Sequence, residues 1–273
     1  MKKEYSPWKW AFLFAALVYV VLGLFNPLHI QRYRLADKKI KSPLKIALLA
    51  DLHNFTHEGK IMALLAKEKP DLVLIAGDLI DDHSPTEAAY ALAKELGSLY
   101  PVYYVSGNHE VWTHQMEQIK QNLSEYGFHV LEGESAAVST KGNPIAICGI
   151  DDAELKNPEW YAQLDRCAKS TAPQVFDILL THRPELVKKA YLGKGFELIL
   201  SGHTHGGQWR LPGLINGLYA PNQGFFPRYA GGLYRFKDSQ MVVSRGLVPD
   251  FRGLPRFYNW PEVVMLELVP AQD

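Results

Sequence analysis

Strand, loop and helix alternate along most of the 273 residues, which predicts an α/β layered domain. Three observations carry that expectation. Short runs rich in Val, Ile and Leu recur, helical patterns separate several of them, and run after run ends in a polar residue fit to bind a metal ion. With 47% apolar residues, the chain can bury a sizeable core as one soluble domain with an N-terminal appendage.

The elements follow in order. From Trp10 to Gln31 there is no Asp, Glu, Lys or Arg, and Ala11 to Phe25 holds only apolar residues besides Tyr19 and Gly23. Roughly 20 such residues cross a bilayer, so residues 1–31 are expected to form an uncleaved transmembrane helix anchored by Trp8, Trp10 and Tyr19. A cleaved signal peptide would show a small-x-small site after the apolar core, where Asn26-Pro27-Leu28-His29 stands instead. A buried core helix would be expected to keep a polar face, and none is present. Lys2, Lys3 and Lys9 with Glu4 precede the segment, whereas Arg32, Arg34, Lys38, Lys39, Lys41 and Lys45 with Asp37 follow it. That excess predicts that the rest of the chain lies on the cytoplasmic side of a cell membrane. Cys148 and Cys167, in an apolar run and a helical pattern, read as buried thiols of a reducing compartment, with one disulfide as the alternative.

A basic linker over 32–43 should lead into a domain spanning 44–273. Leu44 to Ala50 reads as a buried strand that delivers Asp51 and His53 into the next loop. Leu72 to Ala76 ends at Gly77-Asp78, and Val102 to Val105 ends just before Gly107-Asn108-His109. Phe176 to Leu180 ends at His182, and Leu198 to Leu200 at Gly202-His203. Helices are expected over Gly59–Lys69, Pro85–Gly97, His114–Gly127 and Asn157–Ser170. Residues 206–262, rich in Gly, Pro, aromatics and Arg, should close the sheet and wall one side of the site, with short strands at Leu233–Phe236, Met241–Ser244 and Val263–Leu266.

Lys and Arg balance Asp and Glu at 29 each, so the molecule as a whole has no electrostatic attraction for long nucleic acid. The chemistry is local. The strand-end tails supply the carboxylates of Asp51 and Asp78, the amide oxygen of Asn108, and the imidazoles of His53, His182, His203 and His205. Two divalent ions about 3.5–4 Å apart need such a set, with one carboxylate able to bridge. No cysteine takes part, which favours Mn²⁺, with Fe or Zn possible, in a mixed oxygen and nitrogen shell.

In order, Asp51-Leu52-His53, Gly77-Asp78, Gly107-Asn108-His109-Glu110, His182 and Gly202-His203-Thr204-His205 resemble the motifs of the calcineurin-like metallophosphoesterases, over about Leu44 to Leu268. The resemblance implies a four-layer α/β/β/α sandwich. It implies that Asp51, His53 and His205 hold one ion, that Asn108, His182 and His203 hold the other, and that Asp78 bridges them. His109 is similar to the family's non-ligand histidine, which contacts the phosphate and assists the leaving group. Glu110 stands where many members carry Asp. A bridging water, its pKa lowered by two cations, would attack phosphorus in line. Asp81 or Asp82 could orient a ligand, and either could instead be a solvated loop carboxylate.

Other residues weigh less. His57, His83, His114 and His129 read as ordinary surface or core histidines, and His29 as a residue of the membrane interface. Arg228, Arg235, Arg245, Arg252 and Arg256 lie among aromatics that suit a lipid headgroup zone or a stacked base, although much of this series must be structural. No substrate-binding residue is singled out.

The function expected is metal-dependent hydrolysis of a phosphodiester or pyrophosphate bond in a phosphate-ester small molecule or lipid, lipid-linked or nucleotide-containing. The chain is similar to bacterial members with an N-terminal membrane segment and a Gly-His-Thr-His-Gly-Gly ending, here Gly202 to Gly207. That group includes general phosphodiesterases and UDP-2,3-diacylglucosamine pyrophosphatases of lipid A synthesis. Alternatives are a nucleotide phosphodiesterase and, from a different class, a membrane-bound metal-binding scaffold; retention of the full ligand set together with His109 disfavours the scaffold.

Overall fold

The computed structural model describes residues 7–55, 57–155, 158–251 and 253–271. Lys2, Lys3 and Glu4 of the flanking-charge argument, Asn157 of the fourth expected helix and Arg252 lie outside the described residues. The chain opens with α1 (Pro7–Leu24), β1 (His29–Asp37), β2 (Leu44–Leu49), α2 (Lys60–Glu68), β3 (Leu72–Ala76), α3 (Glu87–Leu99) and β4 (Val102–Val105). A short α4 (Asn108–Trp112), α5 (Met116–Glu125), β5 (Phe128–Val130), β6 (Ser135–Thr140), β7 (Asn143–Gly149) and α6 (Glu159–Ser170) come next. After β8 (Phe176–Leu180) and β9 (Leu198–Ser201) stand a small hairpin of β10 (Tyr219–Ala220) and β11 (Gly224–Phe225), then β12 (Gly232–Arg235) and β13 (Gln240–Val243). A second small hairpin, β14 (Asp250–Phe251) and β15 (Leu254–Pro255), precedes the long β16 (Glu262–Pro270).

Two six-stranded mixed sheets result, in the orders β1-β16-β2-β3-β4-β5 and β12-β13-β9-β8-β7-β6. Pairing is parallel from β2 through β5 and from β7 through β9 and β13, as strand-helix-strand crossovers require. The side-chain period of two sorts each strand between two cores. From β2, Leu44, Ile46 and Leu48 join Ile147, Ile178 and Leu200 of the other sheet in one buried cluster. Ala47 and Leu49 point the other way, onto Leu65, Leu96 and Leu123 of α2, α3 and α5. Behind the second sheet, Leu179, Ile199 and Met241 pack with Trp160 and Leu164 of α6. Helices therefore cover the outer faces of two sheets that share an inner core.

The first part of the stretch expected as a linker belongs to the sheet. Residues 29–37 form β1, paired in parallel with β16 from His29 opposite Glu262 to Asp37 opposite Pro270. His29, expected at a membrane interface, is bonded to Pro261 O and to Arg245. This shortens the apolar segment. Its helix, α1, has 18 residues, about 27 Å at 1.5 Å per residue, against a hydrocarbon core of about 30 Å. Among the described residues no helix is long and apolar enough to cross a membrane, so the expected transmembrane helix is not supported. Nevertheless Trp8, Phe12, Phe14 and Leu17 are exposed, and the helix touches the domain through Tyr19, whose carbonyl accepts the Tyr258 hydroxyl at 2.8 Å.

The cysteine expectation is also corrected. Cys148 of β7 and Cys167 of α6 form a disulfide with Cα atoms 5.6 Å apart. Both side chains turn into the cluster between α6 and its sheet, a convergence of strand and helix that a 19-residue spacing does not disclose. A loop of that length stabilises by about 3 kcal/mol. Reduction should thus lower the unfolding free energy by roughly that amount in a urea titration, and the Cys148→Ser variant should match the reduced protein; a transition unaffected by reductant would contradict the bond.

Candidate metal centre

The candidate residues sit on the loops leaving β2, β3, β4, β8 and β9, so both sheets contribute to one site at the C-terminal ends of their strands. These loops are backbone-strained. Asp51, His53, Asp78, His203 and His205 all have φ between 47° and 72°. Left-handed conformations cost non-glycine residues roughly 1–3 kcal/mol each, and such strain gathers where surrounding structure forces side chains into one place. Glycines let the loops close up. A Cβ at Gly77 would lie 2.6 Å from His182 Nδ1, and one at Gly107 would collide with Asp78 Oδ1.

Two groups share Asp78. Asp51, His53, Asp78 and His205 form one, and Asp78, His182 and His203 the other; within each, the ligand atoms lie within 4.8 Å of one another. In the first, His53 Nε2 and His205 Nε2 are 3.2 Å apart, with Asp78 Oδ2 3.6 Å from the former and Asp51 Oδ1 3.7 Å from the latter. In the second, His182 Nε2 is 3.1 Å from both Asp78 Oδ2 and His203 Nδ1. Nitrogen and carboxylate oxygen atoms converging at such distances are what a divalent ion with bonds of about 2.0–2.2 Å draws together. Asn108 Oδ1 supplies an independent indication, because it is buried and has no hydrogen-bond donor among the described residues. A cation would satisfy it. The residues present fit two ions.

The far sides of the imidazoles are held. His182 Nδ1 donates to Ala76 O at 2.6 Å, His203 Nε2 to Asn222 Oδ1 at 2.7 Å and His53 Nδ1 to Asp81 Oδ2 at 3.2 Å, which leaves the opposite nitrogens to face the centre. His109 Nδ1 donates to Asp82 Oδ1 at 2.6 Å and lies 3.2 Å from Asp81 Oδ2. Asp81 and Asp82 thus both orient histidines. Glu110 does something else. Fully buried, it accepts the backbone N–H groups of Gly107 at 2.7 Å, Asp78 at 3.0 Å and Ile80 at 2.8 Å, and so ties the β3 loop to the β4 loop. The orientation of His109 is set by the two aspartates.

Electrostatics are unequal across the site. Burial pushes the Asp51 carboxyl up to about 6, with Asp78 acting in the same direction. Burial also acts to raise Asp78, but His182, His53 and His109 outweigh it and hold that carboxyl well below the usual range. Against burial, the Asp78 and Asp51 carboxylates raise His182 to about 10; Asp81, Asp78 and Asp82 raise His109 to about 9. His203 and His205 are pushed well below the ordinary imidazole value, chiefly by burial.

A cavity of about 380 Å³ opens onto this centre, bordered by His109, Trp112, Glu154, Arg183, Tyr219 and Asn222. Of these only His109 was singled out in the sequence. Arg183 is locked by Asp152 and Glu154, at 2.8 and 2.9 Å. The arginines picked out by composition are elsewhere: Arg245 pairs with Glu262, Arg256 is buried against the carbonyls of Val248 and Arg245, and Arg228 lies over Tyr229. His57 donates to Leu247 O and His129 stacks on Tyr103, both structural contacts.

Comparison with known proteins agrees with this geometry. Residues 44–207 match the model of the calcineurin-like phosphoesterase family. Phosphodiesterase YaeI of Escherichia coli is 34% identical over 248 residues, 87% of either chain. A transmembrane protein with metallophosphoesterase domain from Bos taurus is 31% identical over 246 residues, 84% of this chain and 53% of that one. Among solved structures, the phosphopantetheinyl hydrolase PptH of Mycobacterium tuberculosis superposes with a TM-score of 0.50 at 12% identity, over 74% of this chain and 89% of that one, a likeness of fold.

Since His182 is raised to about 10, an ion must displace its proton at neutral pH. Mn²⁺ affinity should therefore rise about tenfold per pH unit between pH 6.5 and 9, and more steeply below pH 6 where Asp51 also protonates. Calorimetry in buffers of different ionisation enthalpy should report about one proton released per chain at pH 7.5; pH-independent binding would refute this.

Proposed function

The chain belongs to the calcineurin-like phosphoesterases and is a hydrolase, and on that premise we propose that it cleaves a phosphodiester or pyrophosphate bond at a dinuclear centre. The observation that carries the proposal is the sharing of Asp78 between the two ligand groups. Asp51, His53 and His205 would hold one ion and Asn108, His182 and His203 the other, with Asp78, common to both groups, available to each. When bound, such ions provide a hydroxide nucleophile near neutral pH and neutralise charge on the phosphoryl oxygens. Manganese suits the mixed oxygen and nitrogen set, as do iron and zinc.

The remaining work belongs to side chains. His109 borders the cavity with Nδ1 donating to Asp82, and the Asp81 and Asp82 carboxylates beside it favour the protonated ring, which presents Nε2–H to the departing oxygen. Trp112 lies beside that ring, at 4.8 Å between centroids, and limits the directions from which water reaches it. A positioned general acid contributes roughly 10²–10⁴-fold.

As substrate we propose a lipid-linked or nucleotide-containing phosphoester. The similarity to the E. coli phosphodiesterase supports diester chemistry, and the exposed apolar face of α1 supports contact with a membrane surface. Cleavage of UDP-2,3-diacylglucosamine in lipid A synthesis is the specific case. For the side of the membrane, the basic residues after α1 favour the cytoplasm, whereas the Cys148–Cys167 bond favours an oxidising compartment; protease protection of the domain in intact spheroplasts decides between them.

The test is hydrolysis of bis-nitrophenyl phosphate by the full chain with Mn²⁺, alongside UMP release from UDP-diacylglucosamine. His109→Ala should lower kcat by about 10²–10⁴ with two ions still bound per chain, whereas Asp78→Ala should lose at least one ion by elemental analysis. Normal turnover in the His109 variant would remove it from the reaction.

A further inference from the structure

Beside the catalytic cavity lies a second one, also about 380 Å³, of different character. Trp209, Leu218, Tyr219, Pro221, Phe225 and Leu254 form most of its wall. The two cavities have His205, Tyr219 and Pro221 in common, so they adjoin at the edge of the metal centre. Tyr219 and Phe225 of the β10–β11 hairpin and Leu254 of the β14–β15 hairpin contribute to that wall.

The wall offers almost no polar contact. Thr204 donates its hydroxyl to Ala230 O at 2.9 Å, Gln208 its amide to Leu254 O at 2.6 Å, and Trp209 its indole N–H to Pro255 O at 2.9 Å. A nucleobase brings several ring-edge donors and acceptors that would go unmatched there, at a cost of about 1–3 kcal/mol apiece. A hydrocarbon chain brings none. Aromatic contacts also run outward from this wall, from Trp209 to Phe257 at 5.8 Å and from Phe257 to Tyr19 of α1 at 5.9 Å, linking the chamber to the exposed apolar helix.

We propose that this chamber is a subsite for an aliphatic chain of the phosphoester substrate, which lies against Leu218, Tyr219 and Phe225 while the phosphate group sits at the Asp78 centre. The inference rests on the hydrolytic reading of that centre. Its substrate class is an amphiphile with the chain attached close to the scissile phosphate, because the two cavities are contiguous.

Two measurements separate this subsite from the reading it rests on. The Mn²⁺-loaded full chain is titrated with methylphosphonate and octylphosphonate by calorimetry, and 4-nitrophenyl methyl and octyl phosphodiesters are assayed for hydrolysis. With about three- to fourfold gained per buried methylene, octylphosphonate should bind at least a hundredfold tighter, and kcat/KM should favour the octyl diester to a similar degree. Leu218→Trp, which fills the chamber, should reduce both preferences below tenfold, and the exposed Phe225→Ala should reduce them several-fold without threatening the fold. Equal binding of the two phosphonates overturns the subsite. A chain-length preference undiminished in both variants assigns it to α1 or another surface and overturns it as well. Absence of diester hydrolysis with the phosphonate preference intact would instead count against the hydrolytic reading and leave the subsite supported.

Discussion

Two carboxylates, Asp51 and Asp78, are buried at the ends of adjacent parallel strands, and much of the architecture around them answers to that fact. An ionised carboxylate withdrawn from water is costly unless it is paired, and like charges placed together compound the cost. Four imidazoles and an unmatched amide oxygen surround the pair. Cations would complete the balance. The strain in the loops has the same origin, since five of the converging residues hold left-handed backbone to aim their side chains at one place.

Glu110 shows how the frame is fixed. Its carboxylate gathers three backbone N–H groups from the β3 and β4 loops, so Asp78, which both candidate groups share, sits on backbone that cannot shift independently of Asn108 and His109. Asp81 and Asp82 then orient His53 and His109 from the opposite side. Both sheets supply candidate ligands, so their packing through the common apolar core sets the distance between the two halves of the site. Disturbance of that core would reach the chemistry without touching a ligand.

Much of this was legible in the sequence because the signals are local. The strands β3, β4 and β8 coincide with the apolar runs read from Val, Ile and Leu content, and the residues that follow them converge as expected. Where contacts are distant in sequence, the pattern gave no warning. β1 looks like a basic linker because its partner, β16, lies more than 200 residues away. The Cys148–Cys167 bond depends on how α6 docks on its sheet. Asn222 and Arg183 reach the site through loop geometry, and nothing in the residue types around them marks them out. Of the arginines that composition picked out, Arg245 and Arg256 serve the fold, in line with the expectation that much of that series is structural.

The N-terminal helix and the hairpins after His205 give the domain an apolar flank beside a highly polar centre. That juxtaposition has meaning only if two ions bind where the buried ligands meet. Anomalous diffraction from crystals grown with Mn²⁺ tests this most directly. The account predicts two peaks about 3.5–4 Å apart on either side of Asp78, one near Asp51, His53 and His205 and one near Asn108, His182 and His203. A single peak, or ions bound away from Asp78, would contradict it.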